Sequence, residues 1–166
     1  MKLDIRARKY ISFAFMIAIM AMIYSFSAQN AEISGGVSSG LTEKLVAPFT
    51  PIPPFTLEER MEIVYFVSGI IRKLAHFFSY AALSVSTVSF IDCYQRGRKT
   101  TVSISLLICL LYAISDEVHQ LFVGGRSGQV SDVLLDFCGA IVGVLFFYGV
   151  RALWRKWKNE KTKGTK

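Results

Sequence analysis

Three short patterns in this chain combine residue types that do chemistry. Lys73, His76 and Tyr80 recur at i, i+3 and i+7; Asp116, His119 and Gln120 at i, i+3 and i+4; Asp132 and Asp136 at i, i+4. On helices each set shares one face. Acid–base chemistry is open to such a set: His76 or His119 as base, Asp116 or Asp136 as the group that orients it. Lys73 or Arg126 could hold a phosphate or carboxylate. The ligand spacing matches no zinc signature, and His-Glu-x-x-His is missing. No metal is therefore expected, and the oxygen-rich set would favour calcium or magnesium if an ion bound at all. No cofactor can be named. No serine-nucleophile motif or phosphate-cradling glycine loop is present, and Gly124-Gly-Arg-Ser-Gly128 is too generic to count as one. Whether the chain is an enzyme is left open by these residues.

The elements that carry them are unusual for a soluble protein. Of 166 residues, 52% are apolar and 19% charged, where a soluble domain carries about a quarter charged. Mean hydropathy is +0.43. The apolar residues fall in four runs, each near the ~20 residues that cross a bilayer. The expected fold is all-α, a four-transmembrane-helix bundle with spans at about 10–27, 70–91, 100–122 and 130–151. These belong to one domain, 1–151, followed by a basic cytoplasmic tail, 152–166. Tyr10 to Phe26 is longer than a signal-peptide core of ~7–15 residues, so it reads as a retained helix. Ala28 to Phe55, with its glycines and four prolines, reads as an irregular loop. Thr56-Leu57-Glu58-Glu59 is a capping box, and the helix it opens is too long for one span. Its first part, to about Gly69, is expected to lie in the membrane interface. The tail is expected to fray or to lie on anionic headgroups. Three cysteines, each in or beside an apolar run, exclude a secreted disulfide scaffold. The net charge of +7 does not imply nucleic acid, because the basic residues gather at membrane edges.

Those basic residues set the expected orientation. The N-terminus, the 92–99 loop and the tail from Arg151 hold 14 of the 19 Lys and Arg. Both termini should then be cytoplasmic. Counting ~1.5 Å per residue from the innermost charge of each span puts His76 ~24 Å up, Asp116 ~25 Å and Asp136 ~22 Å. Lys73 and Asp132 fall at ~28 Å, and Ser25 and Ser27 at ~24–27 Å. Glu117, His119 and Gln120 lie just above Asp116. Hydrocarbon is about 30 Å thick, so the polar groups share one layer beneath the outer surface.

An ionised side chain deep in lipid costs ~2.5–3.5 kcal/mol on insertion scales. Asp116 and Asp136 are too short to snorkel and need partners. Arg72, Lys73 and Arg126 are among the few outer cations, and Arg126 could pair with Asp132 or Asp136 and pin the turn. Gly139 and Gly143 continue the Asp132–Asp136 stripe as a small-residue seam, which turns those carboxylates inward. A polar pocket opening outward is the expected result, with Arg72, Lys73, His76, Asp116, Glu117, His119, Gln120, Arg126, Asp132 and Asp136 as its ligand-binding candidates.

In order along the chain, Arg72-Lys73-Leu-Ala-His76-Phe-Phe-Ser-Tyr80, Tyr112-Ala-Ile-Ser115-Asp116-Glu117-Val-His119-Gln120-Leu-Phe122, Gly125-Arg126-Ser-Gly and Asp132-Val-Leu-Leu-Asp136-Phe-Cys-Gly139-Ala-Ile-Val-Gly143 resemble the VanZ family. So does Ser25-Phe26-Ser27-Ala28-Gln29. The resemblance covers about residues 10 to 150. One departure is Gly124, where the family often has proline. The resemblance implies a multi-pass protein of the bacterial plasma membrane. Its founding member is associated with lowered susceptibility to teicoplanin, a lipoglycopeptide that binds cell-wall precursors. The partners this implies are membrane lipids and a lipid-linked cell-wall precursor or the lipoglycopeptide itself, with no nucleic acid. An intramembrane hydrolase or transferase on a lipid-linked substrate and a structural membrane adaptor are the alternatives.

Overall fold

In a computed structural model of the chain, residues 4–28, 40, 42, 44, 56–124 and 128–163 are described. Four helices organise them: α1 (Ile5–Ser27), α2 (Leu57–Asp92), α3 (Arg98–Gln120) and α4 (Val130–Lys163). All four are long and apolar enough to cross a membrane. Among the described residues there is no strand, in keeping with an all-α bundle.

The capping box forms as expected. The Glu59 carboxylate accepts from the Thr56 backbone N–H at 2.7 Å, and the Glu59 N–H donates to Thr56 Oγ1 at 3.3 Å. These bonds favour the ionised carboxyl and hold its pKa below the ordinary carboxylate value. A lowered folded-state pKa means that the contribution is complete above the unfolded value and is lost as pH falls through the folded one. Hydrogen exchange corrected for intrinsic rates should therefore show the first turn of α2 opening below about pH 4, where carboxylates protonate. In Glu59→Gln that turn should be equally loose at both ends of the pH range.

α2 runs unbroken for 36 residues, ~54 Å at helical rise, so the stretch before Gly69 and the second span are a single rod. α4 is likewise continuous to Lys163. As far as Lys163 the tail does not fray: its backbone stays in the helical ladder that begins in the span.

α2 is the central helix. It packs most extensively on α4, next on α1, and α3 lies against both α2 and α4. The glycine seam explains the first of these contacts. A Cβ on Gly139 would run into the backbone carbonyl of Phe77, and one on Gly143 into the Ala81 carbonyl and the Ser84 hydroxyl. The core beneath the polar layer comprises Met16, Ile23, Tyr80, Leu83, Cys109, Ala113 and Ala140, drawn from all four helices. Ser12 and Ser89 share a hydrogen bond of 3.0 Å, and Tyr112 donates to the Met20 carbonyl at 2.6 Å, tying α1 to α2 and α3.

The opposite end of the bundle from His76 holds an ionic clasp. Asp92 accepts from Arg8 Nη2 at 2.7 Å and from Arg151 Nη1 at 2.8 and 2.9 Å, joining α1, α2 and α4. Arg8 Nε also donates to Cys93 Sγ at 3.2 Å. Both arginines are more than a third exposed, so screening by water reduces the value of the clasp. Asp92→Ala is expected to cost about 1 kcal/mol in detergent unfolding, and high salt should narrow the difference from the native chain.

Candidate functional site

Three helices bring one side chain each to a common point. His76 comes from α2, Asp116 from α3 and Asp136 from α4, and one ligating atom from each lies within 4.8 Å of the other two. The core cluster explains why they meet. Tyr80, Ala113 and Ala140 pack together there, and each lies about one helical turn below His76, Asp116 and Asp136 respectively. Close approach of α4 to α2 along the Gly139 seam then carries Asp136 towards His76. His76 Nδ1 is 3.8 Å from Asp136 Oδ2.

Burial differs among the three. Asp136 is 1% exposed and Asp116 3%, whereas the His76 side chain keeps 19% of its surface. Asp116 is oriented from two sides: Ser27 at the end of α1 donates to its Oδ2 at 2.8 Å, and Gln120 Nε2 donates to the same oxygen at 3.3 Å. Neither oxygen of Asp136 has a hydrogen-bond donor among the described residues. The Tyr80 hydroxyl, also buried, lacks a described hydrogen-bond partner as well. Leaving a buried polar group unmatched costs ~1–3 kcal/mol, and more if it is charged, so such groups mark places where ligands or ions act.

The other candidates fall around this centre in different roles. Lys73 donates to Asp132 Oδ1 at 2.6 Å across the α2–α4 rim, with the lysine side chain 52% exposed. That contact supplies Asp132 with a cation. Arg126, the partner considered for it from sequence, lies outside the described residues, as does Gln29. Glu117 Oε2 accepts the backbone N–H of Gln129 at 2.8 Å, which ties the end of α3 to the approach to α4. His119 stands apart from the three-residue centre and stacks on Tyr24 of α1, with ring centroids 4.7 Å apart and planes at 28°. Its Nε2 and the Nε of Arg72 are buried without a described hydrogen-bond partner.

Two side chains at the centre were not among the sequence candidates. The height of Ser27 along α1 places it in the layer without giving it a role. Tyr80 shows in the sequence only as a member of the Lys73–His76 stripe. The i+4 step from His76 was the signal for Tyr80, but its burial depends on α3 and α4 and cannot be read from α2 alone.

Below the polar layer an open apolar groove of about 580 Å³ runs between α1, α2 and α4. Phe15, Ile19, Phe78, Val85 and Phe146 are among its lining residues. Phe78 sits two residues after His76, a step that puts the groove on the opposite face of α2 from the polar centre.

No curated protein and no solved structure matches the chain. A family model described as VanZ/LLP1 matches residues 12–154, a stretch that takes in α2 and α3, most of α1 and α4 and every residue of the centre, and the chain belongs to that family.

Proposed function

We propose that this VanZ-family membrane protein acts on the bacterial cell envelope from the plasma membrane. Its polar layer faces outward and engages a lipid-linked or peptidoglycan-related ligand, and this engagement lowers susceptibility to teicoplanin-type lipoglycopeptides. The observation that carries the reading is Asp136: a carboxylate 1% exposed, with no hydrogen-bond donor on either oxygen among the described residues, facing His76 beside Asp116. Carboxylates accept hydrogen bonds, so the centre suits a head rich in hydroxyl and amide N–H donors, as the sugar–peptide head of a cell-wall precursor is. Lys73, half exposed at the rim, keeps N–H donors for its phosphate beyond the one it gives Asp132. The Lys and Arg distribution supports the outward orientation.

Expression in a susceptible Gram-positive host tests this. The native chain should raise the inhibitory concentration of teicoplanin above that of the empty host, and Asp136→Asn, made to the same membrane level, should not. Equal inhibition with the native chain and with no chain would reject the reading.

A second reading, a hydrolase or transferase on a lipid-linked substrate, draws support from the imidazole–carboxylate approach of His76 and Asp136. It predicts a changed lipid profile on overexpression, lost in His76→Ala, by mass spectrometry of lipid extracts.

A further inference from the structure

We propose that His76, Asp116 and Asp136 form a binding site for a divalent transition-metal ion, zinc in preference to manganese. The proposal deepens the reading of this layer as the working site and rests on that reading only for its location.

The charge balance of the centre comes first. Two carboxylates, Asp116 and Asp136, are almost wholly removed from water and lie beside one another. Lys73, one of the cations described at this end, is committed to Asp132 at 2.6 Å. Ser27 and Gln120 offer Asp116 hydrogen bonds but no charge. Buried like charges side by side are strongly unfavourable, and a dication balances two carboxylates.

Geometry points the same way. Ligating atoms around a zinc ion sit at ~2.0–2.2 Å from the metal, which places them ~3–3.5 Å from one another. The three atoms here already lie within 4.8 Å, so small side-chain rotations close the set without moving a helix. The surroundings resemble those of metal ligands. Asp116 is held by two donors from outside the triad, the arrangement that fixes a ligating carboxylate. Asp136 has both oxygens buried and without a hydrogen-bond donor among the described residues, as a ligand directed at a metal would.

The donor set selects the class of ion. The sequence alone leads to no metal, with calcium or magnesium favoured by its oxygen-rich set only if an ion bound at all. The structure narrows the set to one imidazole and two carboxylates, because Glu117 is drawn to the Gln129 amide and Asp132 to Lys73. An imidazole nitrogen favours zinc over calcium or magnesium. Three protein ligands leave a position open on the ion, where it would polarise a phosphate or carbonyl oxygen.

Zinc chloride or manganese chloride added to the purified full-length chain in detergent, followed by desalting and elemental analysis, tests the site. About one zinc per chain should be retained, with zinc displacing manganese. Titration calorimetry should show affinity falling by at least ~10–100-fold in Asp136→Asn and His76→Ala, the loss that even outer-shell changes produce. Asp4→Asn, at the exposed start of α1, should bind as the native chain does. Should the ligand variants fail to fold, Ser27→Ala and Gln120→Ala still report, because both act through the orientation of Asp116 and should weaken zinc without removing a ligand.

No retained ion, or zinc retained equally by native chain, Asp136→Asn and His76→Ala, overturns the proposal. An ion-free chain that still confers the teicoplanin phenotype rejects the metal site alone. A zinc-binding chain without that phenotype rejects the functional reading alone.

Discussion

Gly139→Ala is expected to pull α4 away from α2 and cost about 3 kcal/mol, the upper part of the usual range for overpacking. The obstacle is backbone: the added methyl meets the Phe77 carbonyl, and no side-chain rotation relieves it. Gly143→Ala should cost at least as much, since its added methyl meets the Ala81 backbone carbonyl as closely and the Ser84 hydroxyl besides, and rotating Ser84 relieves only the second of these. The two glycines share one seam a turn apart, so the double variant should fall short of the sum. Unfolding by denaturing detergent in mixed micelles reads these differences. Because the seam also carries Asp136 towards His76, Gly139→Ala should reduce zinc retention even in the fraction that stays folded. Unfolding curves that coincide for native chain and Gly139→Ala would show that the helices do not approach as described.

The second large effect is a separation of stability from function at Asp136. Asp136→Asn is expected to leave the bundle folded and to raise its stability by ~1–3 kcal/mol, since an ionised side chain deep in the bilayer costs ~2.5–3.5 kcal/mol on insertion scales. The same change should abolish the teicoplanin phenotype. This direction distinguishes a working site from a structural adaptor. Were Asp136 there only to lock helices together, removing its charge would destabilise the bundle, as breaking a buried pair does by ~3–5 kcal/mol. The comparison is best made without added metal, where the unbalanced charge is fully felt. A less stable Asp136→Asn chain that retains the phenotype would favour the adaptor.

Much of this arrangement was legible in the chain before any coordinates. Counting residues from the terminal charges put Lys73 and Asp132 at one height, and they pair at 2.6 Å. It put His76, Asp116 and Asp136 within ~3 Å of one another in depth, and they converge. Height is legible because helical rise is constant and the bilayer penalises charge at its centre, so polar residues fall at shared levels. Gly139 and Gly143 announced a seam because a backbone surface without side chains serves close packing.

Azimuth was not legible. Asp116 and His119 share a stripe and both meet α1, at Ser27 and Tyr24, but nothing in α3 alone says that α1 is the neighbour this stripe meets. The clasp of Asp92 between Arg8 and Arg151 was hidden for the same reason, as its residues are 84 and 59 positions apart and each was visible only as an edge charge.

What the amino-acid order determined alone was therefore the number of candidate spans, the common level of the polar residues along the bundle and the face of α4 suited to close approach, all set by local periodicity and by the cost of charge in hydrocarbon. Tertiary packing decided which carboxylates find partners inside the protein. Asp132 and Glu117 do, with Lys73 and the Gln129 amide, whereas Asp136 faces His76 beside Asp116 with no hydrogen-bond donor of its own among the described residues. That difference arises from how three helices turn about their axes once Gly139 lets two of them touch.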